Sequence, residues 1–171
     1  VAVAPDAGIM MAVGDGGVVL RSYDAGETWT KSAIPGGSDL RGVASDAGAH
    51  LLLAVDASGW VWSSQDTGLQ FVHAASALGP LETIAIMADG SHAIAAGARG
   101  AVLEWAAGTG WEAASSGTDV DLHAALITGD DGSRHYVAGD TGMLLGSSDW
   151  GKSWSRVAVD TDGALFSLDD L

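Results

Sequence analysis

Short apolar runs alternate along this chain with clusters of glycine, aspartate and serine, and the clearest series occupies residues 40–74. Its apolar runs lie at 40–45, 51–55, 60–63 and 70–74, and turn-forming residues separate them. Strand-length runs divided by turn signals about every ten residues are typical of all-β proteins. No stretch shows sustained helical periodicity with caps, so we expect little or no helix.

Two phrases repeat along the chain in a single register. The first, Ser-x-Asp-x-Gly, ends three residues later on an aromatic residue, and these aromatics stand at 29, 71, 111 and 154, with spacings of 42, 40 and 43. The copy ending at 111 has lost its aspartate. The second phrase closes on glycine at 17, 59, 100 and 142, with spacings of 42, 41 and 42. A period near forty residues made of short strands indicates a blade or solenoid architecture.

We therefore predict an all-β fold, a β-propeller built from about four four-stranded blades. The approximate repeats are 1–36, 37–78, 79–119 and 120–161, and residues 162–171 open a fifth unit or close the ring. In one interpretation the chain is a segment of a larger propeller, for example one with seven blades. In the other, the C-terminal strand closes a ring of four blades. We favour the segment, because the first unit starts inside its first strand and the chain does not begin with Met.

The first phrase has a structural role in this interpretation, at the turn between the third and fourth strands of a blade. The aspartate accepts backbone N–H groups, the glycine supplies the turn conformation, and the aromatic residue buries apolar area against the blade. The residues assigned to this role are Ser22, Asp24, Gly26, Trp29, Ser64, Asp66, Gly68, Phe71, Ser147, Asp149, Gly151 and Trp154. Each loop offers a single carboxylate, which is too few for calcium, and the five histidines lack metal-ligand spacing. We expect no metal and no cofactor.

The phrase resembles the Asp-box, or BNR repeat, of sialidases, sortilin-type receptors and some glycoside hydrolases. Coupled to the glycine phrase, as in Ala12-Val13-Gly14-Asp15, it is similar to the photosystem II stability/assembly factor-like proteins. That resemblance covers all four units and implies a β-propeller with an assembly-factor-like role, in a family with seven blades. The sialidase N-terminal arginine motif is missing, and the basic client-binding patch that the assembly-factor resemblance implies is not matched by this acidic chain.

The chain carries 22 acidic residues against 7 basic ones, a formal net charge of −15. This balance argues against nucleic acid and against an anionic membrane surface, both of which attract Lys/Arg clusters. It fits either a charge that maintains solubility or a basic partner. No apolar run is long enough to span a bilayer, so we expect no membrane insertion. The chain has no cysteine and shows no signal segment.

One candidate binding site follows from the repeat register. The residue after each strand-opening leucine is Arg41, Glu82 and His123 in successive units, and Phe166 holds the same position at the end of the chain. Equivalent positions in neighbouring blades predict a ring near the axial opening. Such a ring could bind a small polar or peptide ligand, or could be a structural network at the mouth of the channel.

We expect a non-enzymatic scaffold that binds protein partners outside the cytoplasm, either by itself or as one part of a larger complex. The alternative is a carbohydrate-binding or glycoside-hydrolase-type propeller. The tryptophans outside the first phrase separate the two hypotheses: Trp60, Trp62, Trp105 and Trp150. If several of them line one cleft beside paired carboxylates, the carbohydrate hypothesis gains; if they lie between blades, the scaffold hypothesis stands.

Overall fold

The computed structural model describes residues 2–4, 8–129 and 131–169, and within them the chain forms four antiparallel sheets of four strands. Each sheet is a meander whose strands follow the chain order, with no crossover. Blade one contains β1 (Ala2–Ala4), β2 (Ile9–Gly14), β3 (Val18–Ser22) and β4 (Thr30–Ala33). Blade two contains β5 (Leu40–Ser45), β6 (Leu52–Asp56), β7 (Trp60–Ser64) and β8 (Val72–Ser76).

The second half of the chain repeats this arrangement. Blade three contains β9 (Leu81–Ile86), β10 (His92–Gly97), β11 (Ala101–Ala106) and β12 (Gly110–Ser115). Blade four contains β13 (Leu122–Thr128), β14 (Arg134–Gly139), β15 (Leu144–Ser147) and β16 (Ser155–Arg156). The only helical elements in the described ranges are three single 3-10 turns, at Asp15–Gly17, Ala98–Gly100 and Asp140–Gly142. The predicted all-β fold of four four-stranded blades is confirmed.

The hydrophobic core is divided into three clusters, one in each space between successive blades. Leu52 and Ala54 of β6 belong to the cluster shared with blade one, whereas Leu53 and Val55 of the same strand belong to the cluster shared with blade three. All four are fully buried. Because successive side chains of a strand point to opposite faces, a blade between two neighbours needs apolar residues at consecutive positions. This explains the continuous apolar run that the sequence shows at 51–55.

The glycines that close the second phrase lie directly against the backbone of the segment that follows the fourth strand of their own blade. All four have a positive φ, between 63° and 87°. A Cβ at Gly17 would lie 2.9 Å from the carbonyl oxygen of Ile34, and one at Gly100 would overlap that of Thr118. Gly59 and Gly142 face Gly79 and Thr161 in the same way. The two phrases share a register because each is a fixed part of one closely packed unit.

The C-terminal segment follows blade four without forming a strand within the described part. Leu165 N–H donates to the carbonyl oxygen of Gly139 at 2.9 Å, and Gly142 N–H donates to Gly163 at 2.8 Å. Residues 1, 5–7, 130, 170 and 171 lie outside the described residues. The repeat limits, and the choice between a fifth unit and a closed ring, stay predictions.

Candidate functional site

The three residues of the predicted axial ring share a backbone feature that the sequence did not reveal. In blade two Leu40 pairs with Asp56 and Gly42 with Val55, so Arg41 is the extra residue of a β-bulge between β5 and β6. Glu82 is the extra residue between β9 and β10, and His123 holds that place between β13 and β14. A bulge re-aims the side chain of its extra residue and is common next to functional sites. The register therefore places these three side chains at equivalent positions in successive blades.

The inner strands that carry the ring lie side by side, but Arg41 and His123 each pair with an aspartate of their own repeat. A Cβ at Gly42 would lie 3.3 Å from the backbone nitrogen of Ile84, which shows how closely β5 approaches β9. Arg41 Nη2 lies 3.8 Å from Asp39 Oδ2, and His123 Nε2 lies 2.9 Å from Asp140 Oδ1. Within the described ranges no ion pair joins Arg41, Glu82 and His123 to one another. The ring as a binding site stays a prediction.

Phe166, the fourth member of that register, contacts the histidine of the ring. Its ring centroid lies 5.0 Å from that of His123, and 71% of its surface is exposed. An exposed aromatic residue beside a His–Asp pair is a possible contact surface at this end of the inner strands.

The Ser-x-Asp-x-Gly loops of blades one, two and four share one hydrogen-bond pattern. In blade four Ser147 Oγ donates to Asp149 Oδ1 at 2.7 Å and accepts Gly151 N–H at 2.9 Å, while Ser153 N–H donates to Asp149 Oδ1 at 2.9 Å. Blades one and two repeat the pattern through Asp24 and Asp66. Hydrogen bonds from the Ser153 side chain and backbone lower the pKa of Asp149 to about 2. These carboxylates are engaged in holding their own turns.

Blade three closes its last hairpin without this loop. Trp105 pairs with Trp111 and Ala106 with Gly110, and Thr109 N–H donates to the carbonyl oxygen of Ala106 at 3.2 Å. The turn therefore spans three residues, 107–109, whereas the blade-four loop between its third and fourth strands spans 148–154. The aspartate is not needed in blade three because a short turn replaces the long loop.

The aromatic residues of the phrase do not all have the expected burial. Phe71 packs against the first core cluster, Trp111 against the second and Trp154 against the third, so each contacts the space shared with the preceding blade. Trp29 is 40% exposed and belongs to no cluster in the described part, so its predicted burial is wrong. The clusters lie only between blades one and two, two and three, and three and four, which leaves none on the far side of blade one.

Two of the four remaining tryptophans pack between blades. Trp62 packs against the first core cluster and Trp105 against the second. Trp60 is 39% exposed and contacts His73, with the ring centroids 3.5 Å apart. Of the four, Trp105 and Trp150 both border the groove described next, but Trp105 is on the strand face that packs against blade two. Trp62 and Trp105 therefore fit the scaffold hypothesis, whereas Trp60 and Trp150 do not lie in a core cluster.

A groove of about 560 Å³ between blades three and four is lined by charged residues from both blades. Blade three contributes His92, Glu104 and Glu112, and the loop of blade four contributes Trp150 and Lys152. Glu104 and Glu112 are directly paired across β11 and β12 and share one face of the blade. The imidazole of His92 lies against the Trp150 ring, with centroids 4.2 Å apart, and burial lowers the pKa of His92.

Glu104, in the wall of this groove, lies against a buried histidine of blade four. His135 is fully buried, and its Nδ1 lies 3.0 Å from Glu104 Oε2, within ion-pair distance although not aligned as a good hydrogen bond. His135 Nε2 lies 3.1 Å from the carbonyl oxygen of Gly132, which can only accept, so Nε2 carries a proton. Burial raises the pKa of Glu104, and His135 acts in the opposite direction.

Sequence reasoning missed Glu104 and His135, although one signal was available. Glu104 stands four residues after the closing glycine Gly100, and Arg21 stands four residues after Gly17. Both are charged residues on a third strand, and Arg21 is only 8% exposed. This repeat position faces the next blade, so a charged residue there could have been recognised from the sequence as unusual. The residue that pairs with that charge could not have been predicted.

The chain matches no protein-family model and no curated protein. Among solved structures it is similar to an ancestral GH74 enzyme, at 18% identity and a TM-score of 0.76, over 93% of this chain and 23% of that one. It is also similar to YCF48 bound to D1 peptide, at 19% identity and a TM-score of 0.63, over 88% and 49% of the two chains. The RRP9 WD40 repeats match at 15% identity and a TM-score of 0.72, over 91% and 48%.

These likenesses establish the fold as that of a β-propeller and, at such identities, nothing beyond the fold. The chain spans between about a quarter and a half of the length of these structures. In the ranges that the structure describes, no helix is long and apolar enough to cross a membrane, and no group of three or more His, Asp or Glu side chains could hold a metal ion.

Proposed function

We propose that this β-propeller is a non-enzymatic interaction module, assembly-factor-like, which binds a basic protein partner outside the cytoplasm. The observation that carries the proposal is the unpaired acidic charge. Against 22 acidic residues, the described part of the chain contains one ion pair to a Lys or Arg, between Arg41 and Asp39. A surface of one sign attracts a complementary partner and accelerates its association.

The fold supports this proposal without specifying the partner. One structural neighbour is YCF48 bound to D1 peptide, and another is the set of WD40 repeats of RRP9. The Ser-x-Asp-x-Gly loops are consistent with the Asp-box resemblance, since their serine, aspartate and glycine residues are used in holding turns. Trp62 and Trp105 pack against the core clusters between blades, so these two side chains do not form an exposed aromatic surface for a sugar.

The test begins with capture of a partner from the native source, followed by titration of the purified partner at several salt concentrations. We expect the affinity to fall steeply as salt rises, because the attraction is between opposite charges and is screened. A control titration uses the partner after acetylation of its lysines. An affinity that does not change with salt, or a partner that is itself acidic, would overturn the proposal.

A carbohydrate-binding function is the second candidate, and one specific observation favours it. Trp150 borders a groove in which two carboxylates, Glu104 and Glu112, face each other across neighbouring strands. Most glycoside hydrolases use two carboxyl groups roughly 5 to 10 Å apart, and an aromatic face beside them is a surface on which a sugar ring can pack. A panel of soluble oligosaccharides tests it, by binding and by release of reducing ends. Turnover that Glu104→Gln abolishes would establish this function in place of the first.

A further inference from the structure

The second strand of blade one is paired along only part of its inner edge. In blades two, three and four, the first strand opens with a leucine that pairs with the last residue of the second strand. These leucines are Leu40, Leu81 and Leu122. In blade one β1 pairs only with residues 9–11 of β2. No described residue therefore pairs with Val13 or Gly14 on that side of β2.

Gly14 leaves room for a backbone at this point. Like Gly97 and Gly139 at the same position, it has an extended φ that any residue can adopt. A Cβ at Gly97 would overlap the carbonyl oxygen of Pro80. One at Gly139 would overlap that of Asp121, so glycine is needed there for close approach of the first strand. A Cβ at Gly14 would have nothing within 4 Å.

The C-terminal segment carries the sequence that opens a first strand. Leu165 lies 43 residues after Leu122, in the register of the repeat. Leu122 is fully buried, whereas Leu165 and Leu168 are only half-buried. The Leu165 N–H donates to the carbonyl oxygen of Gly139, which holds the segment against blade four. Among the described residues, no second strand of its own copy pairs with this segment.

The face of blade one that points away from blade two is apolar. Met10, Ala12 and Leu20 lie on the strand face opposite to the members of the first core cluster, because side chains alternate along a strand. The residues 42 positions later all pack in that cluster, and they are Leu52, Ala54 and Trp62. In blade one the three positions are half-buried, and Trp29 is 40% exposed. This face has the composition of a contact between blades.

Blade four has a similar face on its far side. Val137 and Leu145 belong to the third cluster, so Leu126, Tyr136 and Leu144 lie on the other face, where they are half-buried. The chain has 22 acidic residues, yet the strands of blades one and four contain none. These two faces can approach each other without repulsion between carboxylates of their strands.

We propose that two copies of this chain join head to tail, with blade four of each copy against blade one of the other. Residues 164–168 of one copy pair with β2 of the other and complete its first strand, with Leu165 opposite Gly14. This contact repeats the one that successive blades make within the chain, and a contact between unlike faces closes into a ring when the rotation permits. The similarity covers 49% of the YCF48 chain and 48% of the RRP9 chain, so two copies supply the length of such a propeller.

The direct test is the molar mass of the 171-residue chain, measured by light scattering after size exclusion over a range of concentrations. We expect twice the 17.2 kDa of one copy, with dissociation on dilution. A mass of one copy at every concentration would overturn the proposal. A series of larger assemblies would overturn the closed ring.

Gly14→Ala separates assembly from folding. The new Cβ meets nothing within one copy but would overlap the incoming strand, as a Cβ would at Gly97 and Gly139. We expect the dissociation constant to rise about a hundredfold, because the ring contains the contact twice, while thermal unfolding of the separated copy is unchanged. Gly79→Ala is the matched control, since a Cβ there also meets nothing and Gly79 lies between blades two and three. Equal dissociation constants for the two variants would contradict the proposal.

A cysteine pair identifies which copy supplies the strand, in a chain that has no cysteine of its own. Gly42 pairs with Val55 in blade two, and the same register places Ser167 opposite Val13. Paired residues of neighbouring strands have Cα atoms about 5 Å apart, which a disulfide can bridge. Val13→Cys/Ser167→Cys should therefore form a covalent dimer under mild oxidation, seen on a non-reducing gel. The two single variants are the controls and should remain at the mass of one copy on that gel.

The same pair distinguishes the other ways to cover these faces. A disulfide within one copy would show that the segment closes a ring of four blades and would overturn the proposal. A dimer that does not crosslink uses another surface, which also overturns it. A 171-residue chain that stays monomeric, together with a native polypeptide heavier than 17.2 kDa, would assign the faces to further blades of one polypeptide instead of a second copy.

Discussion

Arg21 and Glu104 occupy the same repeat position in blades one and three. Comparing their surroundings shows what determines whether a buried charge has a partner. Each is on a third strand and packs against the loop glycine of the next blade, Arg21 against Gly68 and Glu104 against Gly151. Glu104 has a partner in His135 of that next blade. Arg21 Nε and Nη1 have no hydrogen-bond partner among the described residues.

The grooves beside the two positions differ as well. The groove between blades one and two measures about 210 Å³ and is bordered by Val19, Ile34 and Phe71, whereas that between blades three and four measures about 560 Å³. The repeat geometry is the same in both places. A buried charge therefore becomes part of a polar site only where the neighbouring blade supplies a partner and leaves room for a ligand.

The largest expected effect comes from separating the buried pair. His135→Leu should lower the free energy of unfolding by about 3 to 5 kcal/mol, because it leaves the Glu104 carboxylate buried without a counterpart. The double variant Glu104→Leu/His135→Leu should lose less than the single one, since two apolar residues need no partner. Denaturant unfolding measures both. If the double variant loses as much as the sum of the singles, the two residues are not coupled.

The loop glycines should differ according to what lies opposite them. Gly151→Ala should cost about 2 to 3 kcal/mol, since its positive φ disfavours alanine and the new Cβ would overlap the Glu104 carboxylate. Gly26→Ala, with only Met10 Sδ at 3.3 Å from the Cβ position, should cost about 1 to 2 kcal/mol. Thermal unfolding of the two variants provides the comparison. Equal losses would mean that the Glu104 carboxylate moves freely out of the way.

Replacing Arg21 should raise the free energy of unfolding, whereas the changes described above lower it. Arg21→Met keeps a long side chain and removes an unpaired buried charge, so we expect a gain of about 1 kcal/mol in the free energy of unfolding. Arg41→Met, at an exposed position, serves as the matched control and should change stability by less than about 0.5 kcal/mol. A loss of stability in Arg21→Met would show that the guanidinium has a favourable role in the space between blades one and two.

The smallest expected effect is on the pH dependence of stability. It has opposite signs for Glu104 in blade three and Asp149 in blade four. Asp149 has its pKa lowered from 3.8 to about 2, so the folded state binds fewer protons and stability is lost as pH falls through that interval. Glu104 has its pKa raised above 4.5, so its contribution is lost as pH rises through the window above that value. Asp149→Asn should flatten the acid limb of stability against pH, and Glu104→Gln the slope above pH 4.5. Parallel profiles for the two variants would contradict this assignment.

Much of the fold could be predicted from sequence because its signals are local. The first strand of blade two was predicted at 40–45 and is found there, while the run at 70–74 became β8 at 72–76. The long loop uses two more residues before pairing resumes. The predicted burial of Trp29 was wrong because the other aromatic residues of the phrase pack toward the blade before theirs, and none of the core clusters lies on that side of blade one.

The candidate site was predictable only in part. The equivalence of Arg41, Glu82 and His123 followed from counting residues within the repeat. Their common bulge did not, because an extra residue in one strand is recognised only from the partner strand.

By itself the sequence determined the meander, its period and the phase of its two phrases, since hydrophobic alternation and turn chemistry act between near neighbours. Tertiary structure alone decided that Glu104 meets His135, that Arg21 Nε and Nη1 have no such partner among the described residues, and that Trp150 borders a groove with two glutamates. These contacts form between blades, where residues distant in sequence are brought together by packing, and no local pattern records which charge will face which.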